Sequence, residues 1–365
     1  MTLEELRRRI TAIDRQMLEL VAERQALSSE VAKVKRATGR ATRDFNRERE
    51  VLLHARNDAA SLGVSPAFAE SLMRMLIRSS LTTQEQQQVA AHGQGGGRSA
   101  LVIGGFGKMG HWFVDFLGSQ GYRVAISDPG LPPDGLESIG DWRQHALDYD
   151  LIVVATPLKI ADAVLVELAA RKPSGIVFDI GSLKTPLRAG ITALREAGCR
   201  VTSVHPMFGP DTELLSGRHV IFIDAGSPEA LEVAQGLFAS TMAERVVMGL
   251  DEHDRLIAFV LGLSHALNIA FFTALADSGE AAPRLARLSS TTFDAQIDVA
   301  SKVAQESPEL YFEIQSLNDY GAESLEALRR AVDRVAQTVM NKDASGFIGL
   351  MDRGREYLAG RPKER

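Results

Sequence analysis

A long amphipathic segment at the start of the chain carries a charged residue where its pattern calls for an apolar one. Apolar residues recur at alternating spacings of three and four from Leu3 to Val34, the heptad pattern of a helix with one packed seam. Arg24 breaks that seam, and Lys35 follows eleven residues later, roughly 16 Å along the same helix face. Because an unpaired buried guanidinium is costly, these two cations predict a small anion held between them.

Two further helices are predicted to complete this charged region. The second runs from about Asp44 to Ala60, and Ser65-Pro66 marks the start of a third that ends near Gln88. Residues 1–56 hold 13 basic and 9 acidic side chains, which suits an anionic ligand, although a solvated helix surface explains that surplus equally well. A solvated surface is also the simpler interpretation of each charged residue taken singly, but it fits Arg24 less well.

About 85 residues at the start of the chain hold LRRRITAIDRQMLELVAERQALSSEVAKVK, then RDFNRERE, then SSLTTQ. These segments resemble the all-helical chorismate mutase family. Every functional position of that family is filled here: Arg7, Arg24, Lys35, Asp44, Arg47, Glu48, Ser80 and Gln84. The family implies an intertwined dimer. Arg7 lies about 100° off the Arg24 face and would reach the neighbouring subunit's site.

The resemblance implies the rearrangement of chorismate to prephenate, a pericyclic reaction that needs neither a nucleophile nor a general base. The site has to hold a dianion in its compact conformer and stabilise charge on the ether oxygen. The implied carboxylate ligands are Arg7, Arg24 and Arg47, assisted by Ser80. The implied donors to the ether oxygen are Lys35 and Gln84, and the implied partners of the ring hydroxyl are Asp44 and Glu48. Since Gln84 is a neutral donor, this activity should persist near neutral pH.

A second candidate site begins with a glycine-rich turn. The predicted strand SALVIG runs into GFGKMG, and a helix follows, which is the strand–turn–helix setting of a dinucleotide site. The loop residues are Gly105, Gly107, Lys108, Met109 and Gly110, and the helix N-terminus would receive the phosphate charge. Asp128 ends the next predicted strand, where a carboxylate suits ribose hydroxyls and disfavours a 2′-phosphate. The sequence therefore predicts NAD as the cofactor.

Strands alternate with helices after residue 98. Candidate strands at 100–104, 123–127, 151–155, 175–180, 200–204 and 220–224 predict a doubly wound, parallel, Rossmann-type sheet. Ligands of such sheets bind beyond the carboxyl ends of the strands. Three groups follow predicted strands there, namely Thr156-Pro157, the GSLK run with Ser182, and His205. A histidine at this edge, fixed by a following proline, is a candidate for acid–base work.

This half of the chain resembles prephenate dehydrogenases. The resemblance lies in VVATP, DIGSLK, HPMFGPD and DEHDRLIAFVLGLSHA, and it continues more thinly to the C-terminus. It implies His205 as the hydrogen-bond acceptor at the substrate's ring hydroxyl, which has to be neutral to act. It implies that Ser182 positions His205 or the nicotinamide, and that His265 and Tyr311 line the substrate pocket. For His265, a structural role at an interface explains the residue equally well.

One position departs from the family. Its bifunctional members carry an arginine in the C-terminal helices that grips a substrate carboxylate, and Lys302 stands at that position here, while Asp294 replaces another arginine. Lysine still pairs with a carboxylate but lacks the bidentate fork of arginine. The choice between prephenate and its amino analogue arogenate is therefore open.

The predicted organisation is a helical mutase domain at 1–90, a Gly-rich linker at 91–98, an NAD-binding domain at 99–242 and an all-helical dimerisation and substrate-binding domain at 243–365. The single cysteine, Cys199, fits a reducing compartment, and MTLEELRRRI lacks the apolar core of a signal peptide, so a cytoplasmic enzyme is expected. Residues 256–276 lack Asp, Glu, Lys and Arg, and could span a bilayer by length. We interpret them as a buried dimer-interface helix.

A homodimeric enzyme acting on chorismate and prephenate is thus expected, with tyrosine feedback inhibition implied by the family and with no metal, nucleic-acid or membrane partner. Two alternatives remain. The chain could be an arogenate dehydrogenase whose N-terminal helices serve mainly for dimerisation. It could also be a regulator that senses NAD or an aromatic acid without turnover.

Overall fold

The computed structural model describes residues 1–133 and 136–360, so the end of the predicted C-terminal domain, 361–365, lies outside the described residues. Three long helices open the chain: α1 (Leu3–Ala37), α2 (Phe45–Ser61) and α3 (Pro66–Ala91). A capping box formed by Thr2 and Glu5 starts α1, and Asp44 caps α2 by accepting the backbone N–H of Arg47. These helices confirm the predicted all-helical N-terminal domain.

Strands and helices alternate in the next part of the chain. The elements are β1 (Ser99–Ile103), α4 (Lys108–Ser119), β2 (Arg123–Ser127), β3 (Leu151–Val154), α5 (Leu158–Arg171), β4 (Ile176–Asp179), α6 (Arg188–Glu196), β5 (Arg200–Pro206), β6 (His219–Ile223), α7 (Pro228–Leu237) and β7 (Glu244–Met248). The strands form one sheet in the order β2-β1-β3-β4-β5-β6-β7, and the pairs β1–β2 and β4–β5 are parallel. The chain reverses direction across the sheet between β1 and β3, which is where doubly wound folds bind dinucleotides.

The strand β7 was not predicted. It lies last in the strand order, and its five residues are exposed or half-buried, with Glu244 and Arg245 at its start. An edge strand with so little buried apolar surface gives a weak pattern in the sequence.

The rest of the described chain is helical, as predicted. It consists of α8 (Leu250–Ile257), a π-helical turn at Ala258–Leu263, α9 (Ser264–Asp277), α10 (Ala282–Arg287), α11 (Thr291–Ala304), α12 (Pro308–Ser316), α13 (Gly321–Met340) and α14 (Ala344–Ala359). The stretch Leu250–Asp277 is long and apolar enough, by length and composition alone, to cross a membrane, and only a minor part of it is buried within the chain.

Two compact units divide the fold. The first comprises Met1–Val153, Pro206–Phe222 and Glu232–Val246, and the second comprises Val154–His205, Ile223–Leu231 and Val247–Arg365. In the first unit Leu101, Phe113 and Leu117 are fully buried, and Phe116 stacks on Trp112. In the second unit Leu165, Leu168 and Leu183 are fully buried. Each unit therefore has its own apolar core.

The Gly-rich segment 91–98 is not a free linker. Its backbone N–H groups at Gly95 and Gly97 donate to the carbonyls of Gln120 (2.9 Å) and Gly121 (3.0 Å). A Cβ at Gly95 would lie 2.2 Å from the backbone of Gly121, and one at Gly93 would lie 2.4 Å from the carbonyl oxygen of Gln120. The glycines are needed here because two backbone segments approach closely, so the predicted linker segment packs against the domain that follows it.

Candidate active sites

A cavity of about 580 Å³ lies among the three N-terminal helices. Seven of the eight residues predicted for the mutase site line it: Arg24, Lys35, Asp44, Arg47, Glu48, Ser80 and Gln84. Arg7 does not line the cavity and is exposed on α1. Its exposure is compatible with the predicted role in a neighbouring subunit's site. The volume lies in the usual range for small-molecule sites.

One wall of the cavity joins α1 to α3 through polar side chains. The Arg24 guanidinium donates to the Leu76 carbonyl (2.9 Å) and to Ser80 Oγ (2.6 Å). Gln84 Nε2 donates to Ser28 Oγ (2.7 Å). Burial lowers the pKa of Arg24. Ser28 was not predicted, because a serine in a helical pattern indicates no function until its contact with Gln84 is known.

At the other wall, near the start of α2, the charged side chains have hydrogen-bond or ion-pair partners of their own. Lys35 Nζ donates to the Thr42 carbonyl (2.6 Å), whereas Arg47 pairs with the exposed Glu50 (3.0 Å). The carboxylate oxygens of Glu48 accept hydrogen bonds from Nε (2.9 Å) and Nη2 (3.0 Å) of Arg43, which form a bidentate ion pair. Arg43 was not predicted, although it begins the RDFNRERE run that carries the resemblance.

A buried carboxylate connects α3 to the segment that follows His205 in the chain. Glu85, 3% exposed, accepts the backbone N–H of Leu215 (2.7 Å) on one oxygen and that of Met242 on the other. Burial raises the pKa of Glu85, against the effect of these two hydrogen bonds. Arg43 also donates to Ser216 Oγ (2.7 Å). The helical domain thus fixes the 215–216 turn at two points.

The glycine loop fits a dinucleotide. A Cβ at Gly110 would lie 2.1 Å from the Gly104 carbonyl oxygen, and one at Gly105 would lie 2.6 Å from Ile126 Cγ2. Gly107 is the N-cap of α4, so Lys108 and Met109 form its first turn, where backbone N–H groups attract phosphate. Asp128 accepts the N–H groups of Phe106 (3.0 Å) and Gly130 (2.8 Å), which orients its carboxylate beside the loop.

In the second unit, Thr156 and Pro157 lie between β3 and α5, as predicted. Pro157 is the N-cap of α5, and the buried Thr156 hydroxyl has no hydrogen-bond partner within the described structure. Such a hydroxyl is available to a ligand.

His205 belongs to a buried chain of hydrogen-bonded groups in the second unit. Its Nδ1 lies 2.8 Å from Nε2 of His253, whose Nδ1 lies 2.6 Å from Oδ1 of Asp254. Burial, together with His253 and Lys184, lowers the pKa of His205 well below 6.5. Burial also lowers the pKa of His253, although Asp254 acts in the opposite direction. Both imidazoles are therefore neutral near pH 7, as the predicted acceptor role of His205 requires.

The carboxylate of Asp254 is held by donors from the GSLK run. It accepts the backbone N–H groups of Lys184 (2.9 Å) and Thr185 (2.7 Å) and the Thr185 hydroxyl (2.7 Å). Burial acts to raise the pKa of Asp254, but the hydrogen bonds from His253 and Thr185 outweigh it and hold that pKa below its usual value. Lys184, fully buried, donates to Asp179 (2.7 Å) and to the Val204 carbonyl (2.9 Å).

Of the remaining predicted dehydrogenase residues, some are half-buried and one is exposed. The Ser182 hydroxyl is buried without a hydrogen-bond partner in the described chain, so the direct partner of His205 is His253 and not Ser182. His265 and Tyr311 contact each other with ring centroids 4.2 Å apart, and burial lowers the pKa of His265 to about 4. Lys302 is exposed on α11. His253 and Asp254 were missed although both stand in the DEHDRL motif.

Known protein families match three consecutive parts of the chain. The chain matches Chorismate mutase type II over residues 6–85, the nucleotide-binding domain of prephenate dehydrogenase over 137–247 and its dimerization domain over 250–353. The glycine loop and Asp128 precede the matched part of the nucleotide-binding domain.

Relatives of similar length match almost the whole chain. The chain is 27% identical to a T-protein of Enterobacter agglomerans, covering 98% of this chain and 93% of that protein. It is 24% identical to the T-protein of Haemophilus influenzae, covering 98% and 92%. The solved prephenate dehydrogenase of A. aeolicus, in complex with hydroxyphenyl propionate and NAD⁺, has the same fold at 17% identity and a TM-score of 0.56, covering 72% of this chain and 97% of that one.

The mutase match covers the helices that form the cavity, and the dehydrogenase matches cover the part of the chain that holds His205 and His253. In one chain, a match to a type II chorismate mutase domain is followed by matches to the nucleotide-binding and dimerization domains of prephenate dehydrogenase.

Proposed function

We propose that the chain catalyses two consecutive reactions of tyrosine biosynthesis. Chorismate rearranges to prephenate in the cavity of α1–α3, and prephenate is then oxidatively decarboxylated to 4-hydroxyphenylpyruvate, with NAD, at His205. The observation that carries the proposal is the presence of seven predicted mutase residues around one cavity, in a chain that continues as a prephenate dehydrogenase. The product of the first site is the substrate of the second.

The mutase cavity offers positive charge that is not neutralised from within. Among the described residues, Arg24 and Lys35 donate only to uncharged oxygens, so their charge remains available to a dianion. Arg24 and Arg47 would bind carboxylates with Ser80, while Lys35 and Gln84 would donate to the ether oxygen. These fixed donors stabilise the compact conformer and the charge that develops as the bond breaks.

At the second site, the buried His205 accepts a hydrogen bond from the ring hydroxyl. The glycine loop and Asp128 would hold NAD, which supplies the two-electron oxidant when bound. As the hydroxyl becomes a carbonyl, its proton passes to His205. The ring carboxylate then leaves as carbon dioxide and the ring becomes aromatic. Burial of His205 favours its neutral form, which is the form that accepts this proton.

We also propose a cytoplasmic homodimer. The seam residues of α1 are exposed in the single chain, for example Ile10 at 58%, Met17 at 54% and Val34 at 63%. Phe259 and Val260, in the apolar stretch of the matched dimerization domain, are exposed at 45% and 54%. Exposed apolar surfaces of this extent are typical of subunit contacts. A second subunit would cover them and would place residues 256–276 at the dimer interface.

Product analysis after incubation of the purified protein with chorismate tests the proposal. We expect prephenate to accumulate without NAD, and 4-hydroxyphenylpyruvate with NADH to appear when NAD is added. Accumulation of prephenate that is unchanged by NAD would contradict the dehydrogenase assignment for prephenate. Arogenate would then be the next substrate, since Lys302 replaces the family arginine. Tyrosine added to both assays tests feedback inhibition.

A further inference from the structure

The order of hydrogen bonds from Asp254 to His205 fixes where each hydrogen lies. Asp254 Oδ2 accepts from the backbone and the hydroxyl of Thr185, and Oδ1 accepts from the backbone of Lys184. A carboxylate surrounded by donors in this way is ionised and can only accept. The 2.6 Å contact therefore requires the hydrogen of His253 to lie on Nδ1.

The hydrogen position on His253 determines the hydrogen position on His205, whose Nε2 faces the substrate in the proposed reaction. With its hydrogen on Nδ1, neutral His253 presents an unprotonated Nε2 to His205. The 2.8 Å contact then requires Nδ1 of His205 to carry a hydrogen. Nε2 of His205 is consequently left with a lone pair. That is the tautomer which accepts a hydrogen bond from a substrate hydroxyl.

The charge of the buried cluster favours a proton that arrives there. Asp179, Lys184 and Asp254 are its ionisable groups besides the two imidazoles, and each is at most 1% exposed. Two carboxylates face a single ammonium, so the cluster with neutral imidazoles carries a surplus negative charge. This surplus offsets part of the cost of burying an imidazolium, although burial still lowers the pKa of both histidines.

We propose that His253 and Asp254 are positioning residues that form a proton relay for His205. The relay rests on the proposed dehydrogenase function. The substrate O–H bond breaks as its proton binds Nε2 of His205, while the two electrons of the carbon–hydrogen bond leave with hydride to NAD. The Nδ1 proton of His205 then moves to Nε2 of His253. His205 is neutral again, and the positive charge rests on His253 against Asp254.

Asp254→Asn is the discriminating variant. Its single carbonyl oxygen would stay with the Thr185 donors, so its NH₂ group would face Nδ1 of His253. That arrangement reverses both tautomers and places a hydrogen on Nε2 of His205. His253→Gln keeps an acceptor for His205 but binds no proton. The matched control is Asp251→Asn, the same substitution at a solvent-accessible position of α8, where Asp251 pairs with Arg188.

We expect Asp254→Asn to lower kcat on prephenate by about 10² to 10⁴-fold, with KM for prephenate and NAD within about threefold. His253→Gln should lower kcat by at least about tenfold, and Asp251→Asn should stay near wild type. Mutase activity, measured on the same preparations, should be unchanged. A loss of less than tenfold in Asp254→Asn would overturn the relay. A wild-type enzyme that oxidises neither prephenate nor arogenate would instead overturn the proposed function.

Nitrogen chemical shifts of ¹⁵N-histidine-labelled wild type test the same hydrogen positions without a variant of His253 or Asp254. We expect both His205 and His253 to carry their hydrogen on Nδ1 near pH 7, with the His205 signal identified by its loss in His205→Asn. A hydrogen on Nε2 of His205 would overturn the relay, even if Asp254→Asn failed to fold.

Discussion

Replacement of Glu85 by glutamine should loosen the contact between α3 and the 215 and 242 turns. The carboxylate accepts two backbone N–H groups on separate oxygens, whereas an amide has only one oxygen. One buried N–H would then face an NH₂ group, at a cost of about 1–3 kcal/mol, which removal of a buried charge offsets in part. We estimate about 2 kcal/mol, equivalent to about a thirtyfold change in a local opening equilibrium.

Hydrogen–deuterium exchange measures this cost where it arises. The amides of Leu215 and Met242 should exchange about thirtyfold faster in Glu85→Gln than in wild type. Glu50→Gln is the control, since Glu50 forms an exposed ion pair with Arg47, which contributes little to stability. The reasoning is refuted if exchange at both amides changes less than threefold, or if Glu50→Gln produces the same change.

The other predictions separate the two activities. Arg24→Ala should lower mutase kcat/KM about 100-fold or more, since the ligand carboxylate loses its buried cationic partner. Oxidation of supplied prephenate should be retained, and comparable losses in both assays would contradict this. Gly110→Ala should abolish NAD binding in a titration and spare the mutase, because the added Cβ would lie 2.1 Å from the Gly104 carbonyl oxygen. His205→Asn should abolish prephenate oxidation; unaffected turnover would show that His205 is not catalytic. Because His205 acts when unprotonated and its pKa is lowered well below 6.5, kcat/KM should stay level as pH falls through 6.5 and decline only at lower pH. A decline centred at or above 6.5 would contradict the assignment.

Features that repeat along the chain could be predicted from the sequence. The heptad seam of α1 and the alternation of strands and helices depend on periodic burial, which is visible in residue order. The interruption of the seam at Arg24 pointed to a ligand, and the structure places that residue in a cavity. The strand β7 escaped because it buries little apolar surface.

Features that depend on pairing between distant residues could not be predicted. In the polar run TTQEQQQ, Glu85 is not distinguished from its neighbours by residue type or spacing. Only the fold brings its carboxylate to the backbone N–H groups of Leu215 and Met242. The same holds for Asp254, whose partners Lys184 and Thr185 lie about 70 residues earlier. The packing of the glycines at 91–98 could not be predicted either, because composition does not distinguish a free connecting segment from a closely packed one.

The electrostatics of the two sites differ in a way that matches the two reactions. In the mutase cavity, Arg24 and Lys35 donate to uncharged oxygens among the described residues, so their positive charge is available to a dianion and no proton has to move. Around His205, two buried carboxylates, Asp179 and Asp254, outnumber the one buried ammonium among the described residues, Lys184, and their charge offsets part of the cost of protonating a buried imidazole. A pericyclic rearrangement needs the first arrangement and an oxidation that releases a hydroxyl proton needs the second. Charge reversal at either site should therefore abolish one reaction by a route that leaves the other intact.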